Sequence, residues 1–195
     1  MKLHTAMAAL MAVTLPLVAC SPSTTSSDAT TSDRPLVDSA ADLVAPGTVN
    51  VGDAPVTDRT REIVRIAQTL YTFWNTGDTA YLDRAVDPRF VDNTLPPGRP
   101  PGPAGPVAAS DTFRAAVPDL TCELADLYVT GDTFTARLIF RGHFTGTYDG
   151  RTGTGQPIDF GAIDIQHVGD ARIDADWHLE DNLTFLQQAG LVAVG

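Results

Sequence analysis

The sequence predicts an α+β domain in which a curved antiparallel sheet wraps around N-terminal helices and leaves a cone-shaped pocket. Three observations carry this expectation. Apolar residues recur at helical spacing only in the first part of the ordered chain, two long alternating hairpins follow, and a stretch dense in proline and glycine lies between.

The chain of 195 residues has room for one ordinary domain with extensions, and its 43% apolar content is ample for a core. Acidic residues outnumber basic ones 24 to 13, for a formal charge of −11. A surface that gathers phosphates is not expected from that balance, so no nucleic acid partner is expected.

Taken in order, Lys2 precedes an uncharged apolar run from Ala6 to Ala19, too short for an ordinary membrane span and suited to a secretory signal over residues 1–19. It ends in Leu17-Val18-Ala19-Cys20, which resembles a bacterial lipobox. The resemblance implies acylation of Cys20 and anchoring to the membrane, each buried methylene contributing ~0.8 kcal/mol. The expected location is the bacterial cell envelope, on the outer face of the cytoplasmic membrane or the periplasmic side of an envelope membrane. Cys122 then has no partner thiol, and a small buried hydrophobe is the expectation for it.

Residues 20–57 are rich in Ser, Thr, Asp, Ala and Pro without a sustained period, the composition of a disordered tether. The folded domain is expected over 58–195. Asp58 suits an N-cap, and Ile63, Ile66, Ala67, Leu70, Phe73 and Trp74 form one apolar stripe of a long helix. Gly77 suits its left-handed stop and Asp78 the cap of a short second helix through Tyr81 to Val86. Leu95 to Pro106 holds six prolines and three glycines, too many missing donors for a helix or central strand. A third helix is expected from Val107 to Ala116. Thr121–Val129 and Thr133–Phe144 make a hairpin around Thr130-Gly131-Asp132, Thr145–Pro157 a loop, and Pro157–Val168 and Arg172–Asp181 a second hairpin. Asn182–Leu191 closes the chain as a helical turn.

The second hairpin holds the candidate chemistry. In Ile173–Asp181, the residues Ile173, Ala175, Trp177, Leu179 and Asp181 alternate with Asp174, Asp176, His178 and Glu180. With the Trp and aliphatic face turned inward, Asp181 is a carboxylate in apolar surroundings, whose raised pKa suits a general acid or base. The same position equally suits a cap of the next helix.

Several segments taken together resemble the SnoaL-like polyketide cyclase, or ester cyclase, family. They are FWNTGD (Phe73–Asp78), RFVDN (Arg89–Asn93), PGPAGPV (Pro101–Val107), FRAAVPDL (Phe113–Leu120), VTGDTFTARLIFRG (Val129–Gly142), FTGTYDGRTGTGQPI (Phe144–Ile158), DWHLEDN (Asp176–Asn182) and LQQAGL (Leu186–Leu191). The resemblance implies a cone of the nuclear transport factor type and acid/base catalysis without metal or organic cofactor. It places the catalytic aspartate at Asp181 and a histidine some fourteen residues earlier at His167. Two positions depart from the family, with Asn93 and Phe144 standing where many members carry histidine and His143 displaced by one residue.

Tyr71, Trp74, Asn93, Phe144, Asp164 and Trp177 complete the expected ligand-binding set. Asp164 points inward and His167 outward if the second hairpin turns on two residues, and an odd-length loop reverses the two. The function implied is a cofactor-independent acid/base enzyme acting on a small apolar carbonyl or ester compound. The alternative is a lipid-anchored extracytoplasmic module that holds an apolar ligand without turnover. A second copy docked through the sheet is the remaining partner expected.

Overall fold

The computed structural model describes residues 34–193. The signal expected at residues 1–19 and the acylation expected at Cys20 lie outside the described residues. Within them the chain forms β1 (Thr48–Asn50), α1 (Asp58–Thr76), α2 (Thr79–Ala85), β2 (Val86–Asp92), α3 (Ala104–Ala116) and β3 (Thr121–Thr130). There follow β4 (Thr133–Phe144), β5 (Thr147–Tyr148), β6 (Arg151–Thr152), β7 (Gln156–Val168), β8 (Ile173–Glu180) and α4 (Asn182–Gln188).

Six strands form one sheet in the order β1-β3-β4-β7-β8-β2, antiparallel except for β1 on β3 and β2 on β8. Its inner face closes on the apolar stripe of α1, with Phe113 of α3 and Phe185 of α4 at one end. Phe140 and Phe160 stack at 5.1 Å, and Phe113 lies 5.6 Å from Phe160, an aromatic cluster that fills that end of the core. The expected α+β cone is borne out.

Helix α1 starts one residue earlier than the sequence suggests. Thr57, not Asp58, is the N-cap, and Thr57 and Thr60 bond each other's backbone N–H as a capping box. Gly77 ends the helix at φ +77°, donating to Phe73 O at 2.7 Å. No basic residue stands in the last turn, and Arg114 of α3 supplies one, donating to Trp74 O at 2.6 Å.

The tether expected over 20–57 is corrected for its described part. Leu36, Val37, Val44, Val49 and Val51 pack against the core, and β1 extends the sheet. The reason lies on α1, whose back carries the buried polar residues Gln68 and Thr72. Gln68 Nε2 donates to Asp38 O (2.9 Å) and Val44 O (3.0 Å), and its Oε1 accepts from Asp38 N (3.0 Å). Thr72 Oγ1 accepts from Val44 N at 3.0 Å. A segment with little apolar period is thus held by backbone bonds that composition does not display.

The hairpin β7–β8 decides which side chains line the cone. Its pairs run from Ala162 with Glu180 to His167 with Ala175, and the next is Val168 with Ile173. Asp174 has no partner, so β8 carries a bulge that reverses its alternation. Ile173 is buried before the bulge, and after it Asp176, His178 and Glu180 turn inward while Trp177 and Leu179 turn out. The face expected to be buried is the exposed one.

Candidate active site

Four neighbouring positions on the concave side of β7 and β8 set the site. Asp164 pairs with His178 across the strands and Gln166 with Asp176, so the four side chains form a square on one face. Parallel pairing of β2 with β8 brings Asp92 alongside Asp176. Glu180 follows His178 on the same face, and Tyr71 descends from α1 to donate its hydroxyl to Asp164 Oδ2 at 3.2 Å.

Packing shifts these groups in opposite directions. Burial pushes the Asp164 carboxyl up to about 7, with Glu180 adding to the rise and His178 opposing it. Burial, with the charge of Asp92, likewise raises Asp176 to about 7. His178 is held between two carboxylates, Nδ1 2.8 Å from Glu180 Oε1 and Nε2 3.2 Å from Asp92 Oδ2. The bond to Glu180 is the main cause that lifts it to about 9, so it is an imidazolium at neutral pH. Burial is the largest single influence on Glu180 and would raise it, but its bond to His178, the imidazolium's charge, a backbone N–H and the charge of Arg99 together hold it below the ordinary range. Tyr71 is driven well above its ordinary value by burial and then by Asp164.

Leu70, Trp74, Val86 and Phe90 wall this cluster, and Arg99 reaches it from the loop between β2 and α3. Among the described residues Arg99 makes no ion pair; the nearby Glu180 senses its charge. The free space between them is ≈30 Å³, and a second recess of ≈10 Å³ continues toward Phe113, Phe140 and Phe160. At ~10–15 Å³ per water, that is room for groups of water size. The arrangement can hold one carboxyl neutral and another ionised near pH 7, beside an unpaired guanidinium. Among the described residues no group of three or more His, Cys, Asp and Glu side chains is disposed to hold a metal ion.

Several expected site residues lie elsewhere. Asp181 is an exposed N-cap of α4, accepting from Thr184 N (3.0 Å) and Thr184 Oγ1 (2.7 Å), and these bonds hold its carboxyl below the usual range. The parity reversal at Asp174 is why it misses the cone. His167 is half exposed beside the hairpin turn, 2.6 Å from Asp174 Oδ1, and does not reach the cleft. Trp177 is 44% exposed on the convex face. Phe144 is buried against Gly153 at the end of β4 and does not line the cleft. Asn93 is exposed, and its backbone and side-chain nitrogens both donate to Asp176 O, pinning β2 to β8. Tyr71 and Asp164 meet at the base of the cleft, and Trp74 forms its wall.

Sequence reasoning missed Asp92, Arg99, Gln166, Asp176, His178 and Glu180. The signal for three of them was on the page of residues: Asp176, His178 and Glu180 recur at every second position and share a face whichever way it turns.

The fold and the site together are those of a cone-shaped α+β domain with titratable side chains gathered on the concave face of its sheet. The model of the SnoaL-like polyketide cyclase family matches residues 64–189, and the chain belongs to that family. Membership suggests a cofactor-independent cyclase or isomerase. Among solved structures the chain is similar to a candidate polyketide cyclase from Bacillus cereus ATCC 10987, with 42% identity and a TM-score of 0.72 over 80% of this chain and 99% of that one. It is similar to TsrD from Streptomyces laurentii, with 28% identity and a TM-score of 0.62 over 70% of this chain and 100% of that one. A third likeness is to IdmH, a candidate polyketide cyclase from Streptomyces antibioticus, with 29% identity and a TM-score of 0.59 over 66% and 98% of the two chains. None of the curated proteins matches the chain.

Proposed function

We propose that this protein is an acid/base enzyme acting on a small carbonyl or ester compound, with Asp164 and Asp176 as its proton-transfer groups. The observation that carries the reading is the pair of buried carboxyls on adjacent strands, both poised at about 7 and both lining one cleft. The ionised member takes a proton from the carbon next to the carbonyl, and the electron pair moves onto the oxygen. Arg99 offsets that developing charge, and the neutral member returns a proton to close the cycle. Tyr71 positions Asp164, and His178 sets the field at both carboxyls. Only the reacting end of a substrate enters the water-sized space, and the remainder stays outside the carboxyl cluster.

The test is a screen of enolisable ketones, β-keto esters and lactones. Asp164→Asn and Asp176→Asn are each expected to lower turnover by about 10²–10⁴-fold. Full activity in both variants would overturn the assignment.

Anchoring through acylated Cys20 in the bacterial envelope is supported by the lipobox-like Leu17-Val18-Ala19-Cys20. Labelled palmitate entering the wild-type chain but not Cys20→Ser tests it. That location also favours the second reading, an anchored module that holds its ligand without turnover; a ligand that co-purifies and is never converted would select it. The excess of acidic over basic residues supports the absence of a nucleic acid partner.

A second copy is the proposed occupant of the convex sheet face. Ile163, Ile165, Trp177, Leu179 and Leu183 are all exposed, Leu179 at 75%, and Ile163, Leu179 and Leu183 line a groove of ≈750 Å³. The rim alternates Arg137–Asp126 and Arg141–Asp159 pairs, which a two-fold axis can match with themselves. Sedimentation showing a dimer that Leu179→Lys dissociates is the expected result, and a wild-type monomer at high concentration would sink it.

A further inference from the structure

Among the described residues, two buried acceptors in the cleft make no hydrogen bond. They are Gln166 Oε1 and Asp176 Oδ1, on residues only 2% and 6% exposed. The residues face each other across β7 and β8, and both line the same cleft. Burying an acceptor without a donor is unfavourable, so the site calls for a group that donates.

The surroundings narrow the class. The cleft's other donors are mostly engaged: both ring nitrogens of His178 bond carboxylates, the Tyr71 hydroxyl bonds Asp164, and the Gln166 amide nitrogen acts on the Asp176 carboxyl without reaching its Oδ1. Four carboxyls, from Asp92, Asp164, Asp176 and Glu180, stand against one guanidinium and one imidazolium. A hydroxyl would bring lone pairs along with its single proton, whereas a primary ammonium brings three donors and no acceptor. Its charge complements the carboxyl excess, its head is close to water in size and suits the ≈30 Å³ space, and Trp74 offers an aromatic wall.

We propose that the cleft binds a primary ammonium group, which donates to Gln166 Oε1 and Asp176 Oδ1 beside Trp74. The inference uses the cleft of the acid/base reading but not its chemistry. In the ≈30 Å³ space an ammonium group and the reacting end of a carbonyl substrate exclude each other, so where both readings hold butylammonium inhibits turnover competitively.

Titration calorimetry of the full chain at pH 8 against n-butylammonium chloride, 1-butanol and sodium butyrate tests it. Butylammonium is expected to bind and the other two are not. Gln166→Leu and Asp176→Asn are each expected to weaken binding by about tenfold or more, roughly the loss of one charge-assisted or buried hydrogen bond. Trp74→Leu weakens it too, so a variant that fails to fold does not leave the question open. Equal binding of 1-butanol, no binding of butylammonium, or undiminished binding in the folded variants would overturn the inference. Turnover does not enter this assay. Absent ammonium binding with intact carbonyl turnover removes the inference alone, and ammonium binding without turnover leaves it standing while the acid/base reading falls.

Discussion

Asp164 and His178 are direct partners across β7 and β8, and the imidazolium changes the protonation of the carboxyl opposite it. The imidazolium opposes the burial that raises Asp164, and the carboxyl cluster around His178 holds its proton on. Stability follows from this pairing as well as chemistry.

Stability is expected to peak in mildly acidic solution and fall toward alkaline pH. Asp164, Asp176 and His178 all hold protons more tightly folded than unfolded. Their contribution is complete below their unfolded values, near 4 for the carboxyls and 6.5 for the imidazole. It is lost as pH rises through about 7 for the two carboxyls and through about 9 for His178. Asp119, Asp126 and Glu180 run the other way, their contribution being lost as pH falls below the ordinary carboxylate range. Calorimetric Tm measured from pH 4 to 9 should show the maximum, and Asp164→Asn should flatten the segment between 4 and 7. A Tm that climbs steadily through that segment would contradict the buried carboxyls.

His178→Ala should destabilise the domain more than any surface histidine change. It leaves Asp92 and Glu180, with side chains 4% and 16% exposed, without their shared cation. Breaking a buried pair by removing one partner costs about 3–5 kcal/mol, and partial hydration here puts the expectation at the lower end. Denaturant unfolding gives the magnitude. Carboxyl titration by NMR should show Asp164 and Asp176 rising further, because His178 opposes the rise in both.

The helices, hairpins and breakers were legible in the residues because each depends on local period or turn chemistry: the stripe of α1, Gly77, and the Thr130–Asp132 turn all stand as read. What the residues did not display is the unpaired Asp174. A bulge is set by the Gly169–Arg172 turn closing against Val168, and no period reports it. One residue of slip moved Trp177 out and Asp176, His178 and Glu180 in, so the site was found on the right strand and assigned to the wrong face. The order of residues 34–57 was hidden for a related reason. It rests on backbone groups meeting Gln68 and Thr72, and their partners lie some thirty residues away.

Gln68→Ala should release that N-terminal segment. The substitution removes three hydrogen bonds in a buried setting, a loss on the order of 2 kcal/mol. Backbone amides of Asp38 and Val44 should exchange faster, and limited proteolysis should cut between residues 38 and 47 before it reaches the domain. Unchanged exchange at Asp38 would show that the apolar contacts of Leu36 and Val37 hold the segment unaided.

Asp181→Ala separates the two roles that the sequence left open for this carboxylate. In the folded chain it caps α4 through Thr184, exposed to solvent and on the far side of β8 from the carboxyl cluster. The expected result is a stability loss of about 1 kcal/mol, the ordinary effect of a lost N-cap. Turnover at saturating substrate should stay within about twofold of wild type, well short of the ~10²-fold loss that removing a general base brings. Asp181→Ser, which keeps a capping oxygen and removes the carboxylate, should recover most of the lost stability. Loss of turnover in the folded Ser variant would return the chemistry to Asp181 and to the convex groove it borders.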